Sequence, residues 1–330
     1  MLNWYLQAGK DSDVVIASKM TLVRNLSHFN FYIKEEHEIQ KLEKLIQEKL
    51  FQLGYGLKFI KLSEIDELTL QELLEKGLIT EKVIQNKSEK SILLNEEENI
   101  CIVVNDENHL QLQVFASGFE LDAITNLCIE IDEKIQTLFN ISQNSKYGYL
   151  TACPTNVGTG AKISTFLHLV GLNKTNNIQK IIKFARQFGV EMIKVQNPDI
   201  YRITNEKTLG ITETEILKIL KIVTEKIIEY ERNARRILID NKIDFEDTIF
   251  RSYGILTNCL KISQTEAEKL LSNVKLGVDL GVITGLTDCK VKKIYLYIKS
   301  ASLSKYLGTE ISFDEENIKR AEVIKKITKE

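Results

Sequence analysis

The sequence predicts an α+β fold, in which a domain of mixed helices and strands is followed by an all-helical domain. Between residues 14 and 220, short β-branched runs alternate with longer stretches of helical periodicity, and from Thr212 onward the helical pattern dominates. A chain of 330 residues with 43% hydrophobic content can bury a sizeable core, and its length favours two domains. We place the boundary near residue 225, which gives a first domain over 1–225 and a helical domain over 226–330.

The first domain contains short apolar runs bounded by polar clusters, a pattern typical of strands. Two of these runs flank the polar segment 105–109, so we expect them to pair as neighbouring antiparallel strands. The predicted strands are Val14–Ala17, Ile92–Leu94, Ile100–Val104 and Leu110–Phe115.

Longer segments carry apolar residues at helical spacing with polar residues between them. In the first domain such segments are expected to cover a face of the sheet, and they are Glu35–Leu53, Glu120–Phe139 and Asn177–Phe188. In the second domain the predicted helices are Ile216–Ile239, Asp244–Asn258, Gln264–Leu276, Cys289–Ala301 and Glu315–Thr328.

Composition excludes several classes of protein. Lys and Arg number 44 against 46 Asp and Glu, so the chain has no basic field that would favour nucleic acid or a membrane surface as a partner. The five cysteines are scattered without CxxC spacing, which argues against a disulfide framework or a zinc site and favours free thiols in a reducing compartment. No segment resembles a signal peptide or a membrane span, so we expect a cytoplasmic protein.

The segment from Gly148 to Gly160 is the part of the chain whose composition is most typical of a reactive loop. Pro154 is one of only two prolines and directly follows Cys153, so the thiol is expected on a rigid corner. Gly158 and Gly160 then permit close backbone approach, as in loops whose amides bind an anion. On pattern alone, a tight turn with a buried cysteine remains an equal alternative.

That segment resembles the Cys-Pro-Thr-Asn-x-Gly-Thr motif of the ATP:guanido phosphotransferases, most closely the bacterial protein-arginine kinases. The resemblance covers essentially the whole chain and implies a phosphagen-kinase-like catalytic domain, with a largely antiparallel sheet flanked by helices, before the helical domain. The other segments that resemble the family, in the same order, are 11–26, 105–113, 200–215, 252–258 and 274–281.

The resemblance implies transfer of the ATP γ-phosphoryl group to a guanidinium nitrogen, with ATP and Mg²⁺ as cofactors. This reaction requires neutralised phosphate charge, in-line positioning and carboxylates that orient the guanidinium and accept its proton. Glu107 matches the first catalytic glutamate of the family, because Asn105–His109 aligns with its Asn-Glu-Glu-Asp-His box. Cys153 matches the family cysteine, whose thiolate lies against the guanidinium.

The second catalytic glutamate lacks a clear counterpart. The family carries it in an Arg-Gly-x-x-Gly-Glu loop, and the sequence before Ile200 is several residues too short to contain that loop. A different alignment puts Arg186 and Glu191 at the Arg and Glu positions, but it requires breaking an amphipathic helix that ends near Gly189. Glu191 is the candidate that this second alignment supplies.

The arginines that bind phosphate in the family are altered at several positions. The Ser-x-Arg-x-Arg motif reads Ser18-Lys19-Met20-Thr21, and glutamine and lysine replace two further arginines. Lysine keeps the charge but loses the planar, bidentate fork of arginine. The candidate nucleotide-binding residues are Lys19, Thr21, Arg24, His109, Gln111 and Lys162.

The helical domain of the family is implied to recognise phosphoarginine on proteins, with Arg251 and Lys275 as candidates; ordinary exposed helix charges are the alternative. The implied partners are substrate or phosphoarginine proteins, an activator or a Clp-type protease, and a homodimer or paralogue-dimer partner. We therefore predict a protein-arginine-kinase-like protein with degenerate nucleotide and catalytic residues and a binding or regulatory role in protein quality control. The alternative prediction is an active protein-arginine kinase.

Overall fold

The computed structural model describes residues 3–195, 199–240 and 242–330. Its strands are β1 (Val15–Arg24), β2 (Lys58–Lys61), β3 (Ser91–Leu94), β4 (Ile100–Val104), β5 (Leu110–Ser117), β6 (Gln143–Asn144), β7 (Gly148–Tyr149), β8 (Ala161–His168), β9 (Val190–Lys194) and β10 (Ile200–Asn205). Its helices are α1 (Asn3–Leu6), α2 (Glu36–Leu50), α3 (Glu67–Glu75), α4 (Glu81–Gln85), α5 (Leu121–Leu138), α6 (Val170–Lys174), α7 (Ile178–Gln187), α8 (Glu213–Asp240), α9 (Lys242–Asn258), α10 (Gln264–Asp279), α11 (Asp288–Tyr297), α12 (Ser300–Leu307) and α13 (Phe313–Lys329).

Eight strands form one sheet at the centre of the first domain. Their order is β2-β3-β4-β5-β1-β8-β10-β9, and every neighbouring pair is antiparallel. The predicted pairing of β4 with β5 is confirmed, with Val104 opposite Leu110 across the turn. The α+β class with an antiparallel sheet and a helical second part is therefore confirmed.

The two faces of the sheet differ in what covers them. One face packs Met20, Leu22 and Ile163 into a large apolar core with α2, α5 and α8. The other face contributes Ala17 and Phe115 to a second core, which includes α1, α3 and the C-terminal helices. Because side chains alternate along a strand, the polar residues on this second face lie between the sheet and the helical part of the chain.

Helix α8 runs without a break for 28 residues and connects the sheet to the helical part. The predicted boundary between residues 225 and 226 falls inside this helix. Beyond it, α9 packs against α10 and α13, and α11 packs against α13. In the described part of the chain, no helix has both the length and the apolar character needed to cross a membrane.

Candidate active site

The turn between β4 and β5 presents Glu107 at the end of the sheet. Asn105 opens the turn with a left-handed φ of 56°, and a backbone hydrogen bond of 3.0 Å closes it. Asp106 forms an ion pair with the buried Lys90. The turn is therefore fixed on both sides of Glu107, whose carboxylate lies 3.5 Å from the ammonium of the exposed Lys82.

Cys153 lies at a corner that is rigid, as the proline predicted. It precedes a short 3-10 turn over Pro154–Asn156. Its carbonyl accepts hydrogen bonds from the Thr151 hydroxyl at 2.7 Å and from the Asn156 N–H at 3.0 Å. Its Sγ lies 3.0 Å from the Thr155 hydroxyl and remains partly accessible.

Gly158 allows the Cys153 loop to dock on the segment that follows β10. Its φ is 109°, and a Cβ at this position would lie 2.2 Å from the carbonyl oxygen of Thr208. The Thr208 hydroxyl lies 2.9 Å from the Thr155 carbonyl and 2.8 Å from the Val157 carbonyl. Only glycine fits this close approach, which explains the residue type at this place in the motif.

One side chain joins the Glu107 turn to the Cys153 loop. The amide oxygen of the buried Asn108 accepts a hydrogen bond from the Ala152 N–H at 2.9 Å and another from the Asn25 amide at 3.0 Å. Asn108 and Ala152 each adjoin one of the two candidate catalytic residues in the sequence. The structure therefore brings Glu107 and Cys153 to one end of the sheet.

Four of the predicted nucleotide-binding residues share one face of the sheet. Thr21 on β1 lies directly opposite Lys162 on β8, and Lys19 lies two residues earlier on β1. Val23 lies opposite Gln111 on β5, in the same alternation. Because residues paired across strands and residues two apart along a strand share a face, all four project toward the helical part.

Lys162 connects this face electrostatically to the Cys153 loop. Its ammonium donates hydrogen bonds of 3.0 Å to the carbonyl oxygens of Asn205 and Glu206. Partial burial lowers the pKa of Lys162, whereas its electrostatic interactions with Glu191 and Cys153 oppose that shift. Both groups therefore lie within electrostatic range of the same ammonium.

Lys19 is more strongly perturbed than Lys162. Burial lowers the pKa of its ammonium to about 8; Cys101 opposes this shift and the charge of Arg202 reinforces it. The ammonium lies 4.8 Å from the centre of the Phe115 ring. Lys19 also lines a cavity of about 370 Å³ between the sheet and α11, whose aromatic walls include Trp4 and Phe166.

The connection between β9 and β10 is short. β9 ends at Lys194 and β10 begins at Ile200, so five residues connect them. The Val195 N–H donates a hydrogen bond of 3.0 Å to the Ile200 carbonyl, which closes the hairpin. Glu191 lies on β9 opposite Thr204, on the same sheet face as Lys162.

The alternative alignment required a broken helix before Gly189, and the structure has an intact one. Helix α7 extends to Gln187, with the exposed Arg186 in its last turn. Gly189 follows with a φ of 67°, which ends the helix and leads into β9. Arg186 therefore belongs to a regular surface helix, whereas Glu191 reaches the site from a strand.

Arg24 lies on the other face of the sheet from Lys19. Its guanidinium forms a buried ion pair of 2.7 Å with Asp132 of α5 and stacks 3.6 Å from the centre of the Tyr149 ring. It also donates to the Thr159 carbonyl at 2.9 Å. Arg24 points into the core and its charge is already paired with Asp132. Its position therefore argues against the predicted role in nucleotide binding.

His109 is fully buried, and the backbone engages both of its ring nitrogens. Its Nδ1 accepts a hydrogen bond from the Leu26 N–H at 2.9 Å, and its Nε2 lies 2.8 Å from the Asn30 carbonyl. Burial lowers the pKa of His109, which favours the neutral ring with a proton on Nε2. His109 thus stabilises the segment after β1 rather than facing the polar surface where Lys19 lies.

The two candidates in the helical part lie in different environments. Arg251 is exposed on α9 and pairs with Asp247 at 2.6 Å. Lys275 is buried, with its ammonium 2.9 Å from Asp279 and 3.2 Å from Asp288. The structure therefore places the charge of Lys275 inside a closed ionic network and leaves only Arg251 open to a partner.

Sequence reasoning missed Arg202, a third basic residue on the polar sheet face. It lies on β10 opposite Phe166, which is two residues beyond Ser164 and four beyond Lys162 on β8. Its charge lowers the pKa of both Lys19 and Lys162, in each case in addition to the larger effect of burial. The alternating pattern of β10 could have revealed it: Tyr201 and Ile203 are buried on one face, so Arg202 between them projects from the other face.

Two family models together match most of the chain. Residues 38–234 match the ATP:guanido phosphotransferase C-terminal catalytic domain, and residues 242–330 match the protein-arginine kinase McsB C-terminal domain. The protein-arginine kinase of Halothermothrix orenii is 36% identical over 332 residues, which cover 98% of this chain and 95% of the relative. That of Bacillus subtilis is 34% identical over 337 residues, which cover 98% and 92%.

Solved structures share the fold at lower identity. Lombricine kinase superposes with a TM-score of 0.58 at 20% identity over 70% of each chain. The substrate-free duplicated taurocyamine kinase from Schistosoma mansoni has a TM-score of 0.59 at 22% identity, over 70% of this chain and 33% of that one. Both family models and the whole-length relatives point to one family, and the chain belongs to the protein-arginine kinase family of ATP:guanido phosphotransferases.

Proposed function

We propose that this chain recognises arginine side chains of proteins and has lost most of the family's phosphotransfer activity, so that it serves a binding or regulatory role in protein quality control. The observation that carries this proposal is the five-residue connection between β9 and β10. It leaves out the loop that would bring a second carboxylate to the guanidinium. With one carboxylate fewer, the guanidinium can be bound but is poorly oriented for attack on a phosphoryl group.

The recognition end consists of Glu107 and Cys153. A carboxylate at a strand end can accept paired hydrogen bonds from a guanidinium. Among the described residues, Glu107 pairs with the exposed Lys82 at 3.5 Å, a weak surface pair that an arginine side chain can displace. Asn108 holds the cysteine loop beside it through the 2.9 Å hydrogen bond to Ala152.

The phosphate end is weaker than the family chemistry requires. Lys19 and Lys162 would hold the phosphates of ATP, the cofactor that family membership implies, and they keep positive charge without the fork of arginine. Thr21 and Gln111 contribute no charge at all. In the described residues, no group of three or more His, Cys, Asp or Glu side chains could hold a metal ion, so Mg²⁺ would arrive bound to the nucleotide.

An active kinase is the second candidate function, and one observation favours it. Glu191 lies on the same sheet face as Lys162, so a second carboxylate is present on the face that would hold the phosphates. In that case Glu191 would take the role of the second catalytic glutamate from a different position in the chain. Proton acceptance by Glu107 or Glu191 would then accompany attack of the guanidinium on the γ-phosphoryl group.

A paired measurement separates the two candidates. The chain is incubated with MgATP and a denatured substrate protein, and phosphoarginine is followed by ³¹P NMR; binding of an unphosphorylated arginine peptide is measured in parallel by calorimetry. We expect peptide binding without phosphoarginine. Glu107→Gln should weaken peptide binding at least tenfold, because it removes a charged hydrogen-bond partner.

Glu96→Gln is the matched control, because Glu96 is exposed in the turn before β4, outside the site. It should leave peptide binding unchanged. Phosphoarginine formation that Glu107→Gln abolishes would establish the active kinase instead. Peptide binding that is equal in Glu107→Gln and in the unmodified chain would refute the recognition site.

A further inference from the structure

Three basic side chains surround one point on the polar face of the sheet. Ser164 on β8 lies opposite Lys19 of β1 on one side and Thr204 of β10 on the other. Lys162 lies two residues before Ser164 on its own strand, and Arg202 lies two residues before Thr204. All three cations therefore project from positions next to Ser164, one from each of three adjacent strands.

The spacing suits a group with several anionic oxygens. Neighbouring strands lie about 4.8 Å apart, and residues two apart along a strand are separated by about 6.8 Å. The side chains of lysine and arginine are long enough to converge over a common point across such distances. A tetrahedral phosphoryl group, whose oxygens diverge in several directions, can accept hydrogen bonds from all three.

Arg202 carries a buried hydrogen-bond donor that is not used within the described residues. Its Nε is buried and makes no hydrogen bond to any of the described residues. No carboxylate in the described part of the chain forms an ion pair with it, although Arg24, Arg232 and Arg235 each have one. A buried guanidinium donor without an acceptor is costly, so an anionic ligand over this face would gain a hydrogen bond from Arg202.

The charges nearby are consistent with an anion site. Arg202 affects both lysines, since its charge lowers the pKa of Lys19 and that of Lys162. The carboxylates of Glu191 and Glu206 lie toward Lys162, at the outer edge of the face. An anion placed over Ser164 would therefore relieve repulsion among three cations and meet the two carboxylates only at its margin.

We propose that Arg202 completes a phosphoryl-binding site with Lys19 and Lys162, and that it supplies the planar, bidentate contact that neither lysine can make. The inference rests on the proposed function only in naming the molecule that carries the phosphoryl group, which is either ATP or a phosphoarginine side chain. The site compensates for Thr21 and Gln111, where the family resemblance places arginines.

Calorimetric titration of the full chain with MgATP, with phosphoarginine and with sodium phosphate tests this site. Arg202→Gln should weaken binding of each ligand that the unmodified chain binds by tenfold or more, the loss expected for one charged hydrogen-bond donor. Arg202→Lys, which keeps the charge and the stem, should recover part of that loss. Arg236→Gln, which removes an exposed arginine on α8, should stay within twofold of the unmodified chain.

The outcomes are distinct. Tighter binding of ATP than of phosphoarginine would identify the nucleotide as the source, and the reverse order would identify phosphoarginine. The proposal is overturned if the unmodified chain binds none of the three ligands, or if Arg202→Gln binds them within twofold. Thermal unfolding checks that each variant is folded. If Arg202→Gln does not fold, the same titrations are compared between Arg202→Lys and the unmodified chain, and binding within twofold overturns the proposal.

Binding of the unphosphorylated arginine peptide separates this inference from the proposed function. It should survive Arg202→Gln and fail in Glu107→Gln. If Arg202→Gln weakens phosphate binding while Glu107→Gln leaves peptide binding unchanged, the phosphoryl site is supported and the recognition proposal fails. If Arg202→Gln changes nothing while peptide binding depends on Glu107, the opposite holds.

Discussion

The ammonium of Lys19 changes its charge close to physiological pH, because burial lowers its pKa to about 8. A bound phosphate favours the protonated form, so affinity for MgATP or inorganic phosphate should fall as the pH rises through 8. The groups that share its surroundings are Cys101, Arg202, Glu75, Lys76, Glu268 and Lys299. Burial also raises the pKa of the Cys101 thiol to about 12 and lowers the pKa of Lys299.

Titrations at pH 7, 8 and 9 check this prediction, together with proton uptake measured in buffers of different ionisation enthalpy. Binding near pH 8 should take up a fraction of a proton. In Lys19→Arg the guanidinium stays charged throughout, so both the pH dependence and the uptake should disappear. An unchanged pH profile in that variant would assign the titration to another group.

Asn108 is a second residue with a defined energetic role. Asn108→Ala removes the acceptor for the partly buried Ala152 N–H and for the buried Asn25 amide. We expect the free energy of unfolding to fall by about 1–3 kcal/mol, as for other unsatisfied buried donors. Urea denaturation measures the loss. Arginine-peptide binding should weaken as well, because the Cys153 loop loses its link to the Glu107 turn.

Strand alternation explains which site residues the sequence could predict. Lys19 and Thr21 are two apart and share a face, whereas Arg24 is an odd number of residues away and lies on the other one. The apolar run predicted a strand only to Ala17, whereas β1 extends to Arg24. Without the full length of the strand, the sequence could not assign Arg24 to the opposite face. Arg202 could not be found without the register of β10 against β8, which no local pattern contains.

Among the elements, the β9–β10 hairpin limits phosphotransfer in the proposed function. Lengthening a loop costs little, about 0.6 kcal/mol for each doubling, so the hairpin should accept an insertion. Replacing the connection with the family's Arg-Gly-x-x-Gly-Glu loop should create measurable phosphoarginine formation by ³¹P NMR. A Gly/Ser loop of the same length controls for the insertion itself. Equal activity in both variants would show that the missing carboxylate is not the limiting feature.

Elements with strong periodicity were predicted closely, and the exceptions have physical causes. β4 has the predicted bounds, and α5 and α7 lie within one residue of theirs. The predicted helix Cys289–Ala301 is instead two helices, α11 and α12, separated at Ile298 and Lys299. Glu75 accepts hydrogen bonds from the Ala301 and Ser302 N–H groups at 2.9 and 2.8 Å, so a distant residue starts α12.

At the scale of the whole molecule, a buried ionic network joins the sheet domain to the helical part. Arg235 on α8 pairs with Glu231 and with Asp279 on α10, and Asp279 also pairs with Lys275. The Lys275 ammonium donates to the Ser12 carbonyl at 3.1 Å, which extends the network to the segment before β1. The two parts of the chain are therefore held in one arrangement.

Asp279→Asn should lower the free energy of unfolding by about 1–3 kcal/mol, because it takes one carboxylate from each of two buried cations, which keep Glu231 and Asp288 as partners. Asp247→Asn is the matched control, since it removes an exposed pair with Arg251 and should change stability by less than about 1 kcal/mol. Urea unfolding of the two variants provides the comparison. Similar losses in both would show that the network contributes no more than a surface pair.

Trp4 gives the polar face an optical reporter. It is the only tryptophan of the chain, and its ring stacks on Phe115 with centroids 5.5 Å apart. The Lys19 ammonium lies 4.8 Å from the centre of that same phenylalanine ring. All tryptophan emission therefore originates one aromatic ring away from the cation, so a ligand that draws the ammonium off the ring should shift the fluorescence of the unlabelled protein.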